Sequence, residues 1–301
     1  MVASLLFARP ARPRVNAAML EARAAELAKR SIKAEAKLRA LELIVRCIDL
    51  TTLEGRDSEG RVRALCARAS APAPGLPPVA AVCIYPSLVG VAKATLAGSA
   101  VKVASVATAF PSGLSPLDVK LADTQAALDS GADEIDMVID RGAILAGRDA
   151  QVAAEIAAVR ELCAARGAAL KVILEAGELG SYAAIRRASD LALGAGADFI
   201  KTSTGKIGIS ATPAIALLMC EALRAFEQRT GRVVGLKLAG GIRTTKSALG
   251  YLAIVAETLD ARWLHPGRLR FGASSLLDDL VMQHQTQGSG AYAGGAYVAS
   301  A

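Results

Sequence analysis

Gly196-Ala197-Asp198-Phe199-Ile200-Lys201-Thr202-Ser203-Thr204-Gly205-Lys206 decides how this chain folds. Gly-Ala-Asp ends a helical stretch, Phe-Ile opens an apolar strand, and a polar loop follows. Residues 131–139, Gly-Ala-Asp-Glu-Ile-Asp-Met-Val-Ile, repeat the opening. Apolar or β-branched runs recur at 47–51, 79–84, 101–107, 134–139, 170–175, 198–203, 233–238 and 269–273. They lie roughly 20 to 37 residues apart, the length of a strand with its helix.

The stretches between carry helix punctuation. Ser115 can cap a helix, with Pro116 at its first position, Asp118 completing a capping box and Gly131 ending it. Asp149 starts another, with Val152, Ile156, Val159 and Cys163 on one face and Gly167 as its stop. Thr212-Pro213 starts a third, with Ile215, Leu218, Met219, Leu223 and Phe226 facing inward and Gly231 closing. Eight strands, each followed by a helix, predict an α/β fold, a (β/α)8 TIM barrel, over residues 46–282. An open doubly wound sheet competes, but no GxGxxG follows the first strand. Residues 1–45 read as an N-terminal helical extension with Leu20, Leu27, Leu38 and Leu41 on an apolar stripe. Residues 283–301 read as a flexible Gly/Ala-rich C-terminal tail carrying Tyr292 and Tyr297.

A chain of 301 residues is long enough for one large barrel. With 53% hydrophobic and 21% charged residues, it is not disordered in bulk. Its net charge of +7 could serve nucleic acid, through the basic N-terminus, and would then show as salt-dependent retention on DNA. No basic run is interleaved with aromatics, so no nucleic-acid partner is expected. An anionic small substrate needs only two or three aimed cations. Residues 69–92 carry no charge, but Pro72, Pro74, Pro77, Pro78 and Pro86 would break a spanning helix, so no membrane partner is expected either. Five cysteines without a CxxC point to reduced thiols and a cytoplasmic location. The acid-free, Arg-bearing first 20 residues faintly resemble a transit peptide, but Pro10 and Pro13 spoil its amphipathic helix and favour a frayed basic terminus.

In such a barrel the chemistry sits at the C-terminal ends of the strands. Those ends hold Asp49-Leu50-Thr51, Asp136, Glu175, Lys201, Lys237 and two Gly/Ser-rich loops. The loops are Ala239-Gly240-Gly241-Ile242-Arg243 and Gly272-Ala273-Ser274-Ser275. They leave backbone N–H groups free for a phosphate, unless they are ordinary turns. Lys201 and Lys237 each interrupt an apolar run on neighbouring strands. Two ammonium groups facing each other in a dry barrel mouth lower each other's affinity for protons. A free lysine has a pKa of about 10.4, so only ~0.04% is the amine at pH 7. Lowering it by ~3 units raises that fraction about a thousandfold, at roughly 4 kcal/mol, which suits a Schiff-base nucleophile. Alternatively, each lysine pairs with Asp136, Glu175 or Asp49 as a structural ion pair. A metal site has little to stand on: His265 and His284 are the only histidines and lie outside any ligand-spaced cluster. There is no GxSxG, and Cys47, Cys66 and Cys83 read as packed thiols.

At these residues the sequence resembles the deoxyribose-phosphate aldolases, a class I aldolase family. The matching segments run in order from CIDLTTLEG at residue 47 to RFGASSLL at residue 270, with GADFIKTSTGK the most specific; the long N-terminus and AYAGGAY tail are similar to the longer, eukaryotic-type branch. The resemblance implies reversible cleavage of 2-deoxy-D-ribose 5-phosphate to D-glyceraldehyde 3-phosphate and acetaldehyde, in deoxyribose catabolism, with no metal or organic cofactor. It implies Lys201 as the Schiff-base lysine, Lys237 as the lysine that perturbs it, and Asp136 as the acid/base carboxylate. Asp49 and Thr51 would line the sugar end. Thr202, Gly205, Lys206, Gly240, Gly241, Arg243, Gly272, Ser274 and Ser275 would bind substrate, chiefly its phosphate. A tail tyrosine, Tyr297 or else Tyr292, would assist proton transfer at the enamine carbon. The partners implied are the phosphosugar and acetaldehyde, with a homodimer or another homo-oligomer as the assembly. Ala176 replaces the family's usual Thr, and Leu238 its usual Pro or small residue; the bulkier Leu238 could tilt Lys237. A class I aldolase for another phosphosugar and a phosphosugar-binding pseudoenzyme are the competing readings.

Overall fold

A computed structural model describes residues 15–32, 34–208 and 211–289. Its strands are β1 (Ile48–Thr51), β2 (Ala81–Ile84), β3 (Lys102–Ala107), β4 (Glu134–Val138), β5 (Ala169–Ile173), β6 (Phe199–Lys201), β7 (Gly235–Ala239) and β8 (Leu269–Ala273). All neighbours pair in parallel, and β8 closes on β1, so the sheet is a closed eight-stranded barrel. The helices are α1 (Ala17–Ala28), α2 (Ala34–Arg46), α3 (Glu59–Ser70), α4 (Val89–Thr95), α5 (Leu117–Asp129) and α6 (Arg141–Leu145). They continue with α7 (Asp149–Ala165), α8 (Tyr182–Gly194), α9 (Pro213–Thr230), α10 (Thr245–Thr258) and α11 (Leu276–Ser289). Each expected strand is present. The (β/α)8 barrel therefore holds, and the open sheet does not.

Alternation along the strands sorts the side chains into two layers. Odd positions of β7 bring Lys237 inside, and Leu236 and Leu238 lie with the buried apolar residues around it. Leu238 is fully buried in that outer layer, so its bulk is taken up away from Lys237. Lys237 reaches two carboxylates, Asp49 and Asp136. Leu20, Ala24 and Leu27 of α1 and Leu41 and Ile44 of α2 join the same apolar core.

Cap chemistry fixes the start of α9 as expected but not the other two: α7 begins at Asp149 with Arg148 in the N-cap position and no side chain capping it. Thr212 Oγ1 accepts from Ile215 N at 3.2 Å, and Gly231 ends α9 with φ 70°. On α5, Pro116 itself takes the cap position and no side chain caps it, so Ser115 is not the N-cap. A proline ring at that position already sets the backbone and removes one orphan N–H. Past residue 283, where the tail was expected to begin, α11 runs on to Ser289, and Lys37 Nζ donates to Gln283 Oε1 at 3.3 Å. Tyr292, Tyr297 and the first fourteen residues lie outside the described residues. No helix among the described residues is long and apolar enough to cross a membrane.

Candidate active site

Inward positions of six strands converge on a cluster of charges inside the barrel. Lys201 ends β6 and is register partner to Lys237 on β7. Asp136 on β4 is partner to Lys171 on β5. Lys237 is partner to Arg270 on β8. Asp49 comes from β1 and Glu134 from β4. Lys171, Lys237, Asp49 and Asp136 are fully buried, and Lys201 is only 2% exposed. Charges this deep cost several kcal/mol each unless paired, and here each is paired.

Asp136 is the hub. Its Oδ2 accepts from Lys201 Nζ and from Lys237 Nζ, both at 2.7 Å. Its Oδ1 accepts from Lys171 Nζ at 2.8 Å. Asp49 Oδ2 is ion-paired to Lys237 Nζ at 2.5 Å, and Arg270 Nη1 donates to Asp49 Oδ1 at 2.5 Å. Lys171 Nζ lies 2.6 Å from Glu134 Oε2, and Arg270 Nη2 donates to Glu134 Oε1 at 2.7 Å. The Arg270 guanidinium also stacks over the Phe199 ring, 5.6 Å from its centroid. Cys83 Sγ lies 3.8 Å from Asp136 Oδ2, and burial pushes its thiol pKa up.

The electrostatic consequence is one-sided. Burial is the largest influence on Lys201 and lowers its proton affinity; Asp136 opposes this and Lys237 reinforces it, leaving Lys201 below the ordinary lysine value. Burial works against Lys237 too, but Asp136 and Asp49 together outweigh it and raise its pKa. The expectation that the lysines depress each other is therefore corrected: Lys237 has two carboxylates and stays ammonium, while Lys201 has one. Burial alone would raise Asp136, yet Lys171, Lys201 and Lys237 hold it well below the usual carboxylate range. Asp49 is lowered as well: Lys237, Arg270 and Lys171 overcome its burial. Both lysines are thus ion-paired and also arranged asymmetrically, so the structural-pair alternative describes the contacts without describing their electrostatics. Glu175 is not among the partners.

The other expected residues divide. Gly240 and Gly241 have φ 91° and 85°, a turn that L side chains rarely adopt, and Arg243 beyond them is exposed. Ser274 and Ser275 are exposed just before α11, whose N-terminus opens on the same end of the barrel. Gly205 and Lys206 follow β6, where Lys206 Nζ donates to Glu54 Oε1 at 2.9 Å. Two residues, Thr202 and Asp49, are fully buried. Thr202 is buried, with its hydroxyl donating to Ala239 O at 2.9 Å and accepting from Ala239 N at 2.8 Å. Asp49 lies beneath Lys237. Gly272 sits on β8 against Lys237: a Cβ there would come 2.9 Å from Ala239 Cβ and 3.1 Å from Lys237 Cε. Thr51 is half-buried at the end of β1, its hydroxyl donating to Asp49 O at 2.8 Å.

Sequence reasoning gave no role to Lys171, which begins the fifth strand run, or to Glu134 or Arg270. Arg270 carried a usable signal, since Leu269 and Phe271 flank it as Ile200 flanks Lys201. Glu175, with φ 50°, instead secures the β6 loop: Thr204 N and the Thr204 hydroxyl both donate to its carboxylate. Ala176, in the usual Thr position, is buried in the short 3-10 turn that follows.

Comparison with known proteins adds to this geometry. A family described as DeoC/LacD family aldolase matches residues 43–280. A Mus musculus protein named deoxyribose-phosphate aldolase is 42% identical over 294 residues, 93% of this chain and 92% of the mouse protein. The Aeropyrum pernix deoxyribose phosphate aldolase, described as having a unique tetrameric structure, superposes with a TM-score of 0.65 at 26% identity, covering 86% of this chain and all of that one. A solved aldolase designated QR15 gives a TM-score of 0.66 at 25% identity, covering 80% and 97% of the two chains.

Proposed function

The chain belongs to the DeoC/LacD family of aldolases, and from that premise we propose that it cleaves 2-deoxy-D-ribose 5-phosphate reversibly to D-glyceraldehyde 3-phosphate and acetaldehyde through a Schiff base on Lys201. One observation carries the reading. Lys201 is a buried amine at the mouth end of β6 with a lowered pKa, 2.7 Å from a carboxylate oxygen that also holds the Lys237 ammonium.

Lys201 attacks the C1 aldehyde, and loss of water gives the iminium, which is the electron sink. The 3-hydroxyl loses its proton to the Asp136–water–Lys237 relay, and the C3–C4 bond breaks. Glyceraldehyde 3-phosphate leaves. The enamine is protonated at carbon, with Tyr297 or Tyr292 as the assisting group, and hydrolysis frees acetaldehyde and the Lys201 amine. Gly205, Lys206, Gly240, Gly241, Arg243, Ser274 and Ser275 grip the phosphate and so hold the carbonyl against Lys201. Gly272 gives Lys237 room, Asp49 holds it, and Thr51 lies at the sugar end. The reaction needs no metal or organic cofactor.

Five free, buried cysteines favour a reducing compartment, which we take to be the cytoplasm. The tetramer described for the Aeropyrum pernix relative favours a homo-oligomer.

Acetaldehyde with borohydride tests the reading. The expected product carries one reduced two-carbon adduct at Lys201, and Lys201→Leu loses both adduct and turnover. Normal turnover by Lys201→Leu would reject it.

A further inference from the structure

The cluster holds four cations and three carboxylates. Lys171, Lys237 and Arg270 face Asp49, Glu134 and Asp136, and Lys201 is the fourth cation. None of the seven is more than 6% exposed, so the count is settled inside the protein with little help from water. Lys171 takes Asp136 Oδ1 and Glu134 Oε2, while Arg270 takes Asp49 Oδ1 and both oxygens of Glu134.

We propose that Lys171, Glu134 and Arg270 are positioning residues of this site: they occupy the carboxylates from the side away from Lys201, so that the cluster's charges cancel only when Lys201 carries none. A lysine added to a balanced set must be neutral or must pull in a counter-ion. The same three residues also aim Asp136 Oδ2 at Lys201, because its other oxygen is taken by Lys171. The groups facing Lys201 are Asp136 from β4, Lys237 from β7 and Cys83 from β2. Asp49 and Arg270 stand behind Lys237, and Lys171 and Glu134 behind Asp136. Between Val103 and Ala107, β3 presents no titratable side chain. Cys83 is a buried thiol with a raised pKa and adds no charge near neutrality.

The inference rests on Lys201 being the amine that attacks the aldehyde. Its test follows the acetaldehyde adduct at Lys201, trapped with cyanoborohydride and read by mass spectrometry across pH. Lys171→Met removes a positive charge, which makes a charged Lys201 easier to keep. The midpoint of adduct formation is expected to rise by about one pH unit or more. Glu134→Gln removes a negative charge and is expected to move the midpoint down by a similar amount. The double variant Lys171→Met/Glu134→Gln is balanced again, and its midpoint should return near the parent's. A role in packing alone predicts no opposite shifts, and a double variant at least as impaired as either single one; that result overturns the proposal. If Lys171→Met does not fold, Glu134→Gln and the double variant still decide it. Normal trapping with unmoved midpoints defeats the charge balance only, whereas a parent protein that traps nothing at Lys201 defeats the reading of the nucleophile and the inference with it.

Discussion

Replacing Lys237 by Met separates the electrostatic part of this site from its proton traffic. Lys201 Nζ and Lys237 Nζ each lie 2.7 Å from the same oxygen of Asp136, so they are at most twice that, about 5.4 Å, apart. Two unit charges at that distance repel by about 3 kcal/mol at an effective dielectric constant of about 20. That corresponds to about two pKa units. Lys237→Met therefore raises the Lys201 pKa by about that much, and the amine fraction at pH 7 falls by up to about 100-fold. The assay is the rate of reductive trapping of acetaldehyde on Lys201 as a function of pH, with circular dichroism and thermal melting to confirm the fold. Those controls matter because Lys237→Met takes one of the cations from both Asp49 and Asp136, and breaking a buried pair costs about 3 to 5 kcal/mol. The expected profile keeps its high-pH plateau and moves its midpoint upward. Retro-aldol turnover should fall further than trapping does, since turnover also uses Lys237 in the relay. An unmoved midpoint with a lowered plateau would refute the electrostatic argument.

Two further predictions probe the surroundings. Gly272→Ala places a methyl 2.9 Å from Ala239 Cβ and 3.1 Å from Lys237 Cε. It should cost about 1 to 3 kcal/mol in a urea melt and lower turnover at pH 7 by displacing Lys237. Arg243→Ala should raise KM for deoxyribose 5-phosphate by about tenfold, the loss of one charge-assisted contact, and leave unphosphorylated deoxyribose unaffected; kinetics on the two sugars checks this.

Much of this architecture could be read from the chain. Strand positions followed from apolar runs bounded by glycine, and Thr212-Pro213 and Gly231 marked α9 because cap chemistry is local. Lys201 and Lys237 stood out because a cation inside an apolar run is costly without a partner. The division of labour between them was not legible, since it depends on which carboxylates the barrel brings to each. Lys171 and Glu134 were given no role because each stands near the start of its apolar run in the sequence, where a charged residue usually reaches solvent; closure of the barrel turns both inward. Leu238 looked disruptive in one dimension, but strand alternation directs it outward. Ser115 looked like a cap by spacing alone, whereas Pro116 takes that position.

Lys201 gives up its proton more readily than an ordinary lysine, because it is buried beside the Lys237 ammonium. Carbon-13 NMR of protein labelled at lysine Cε, with the Lys201 signal assigned by its loss in Lys201→Leu, tests it most directly. The expected titration midpoint for Lys201 lies below the ~10.4 of free lysine, with Lys237 remaining ammonium throughout. A Lys201 signal that stays in the ammonium position up to pH 10 would contradict it.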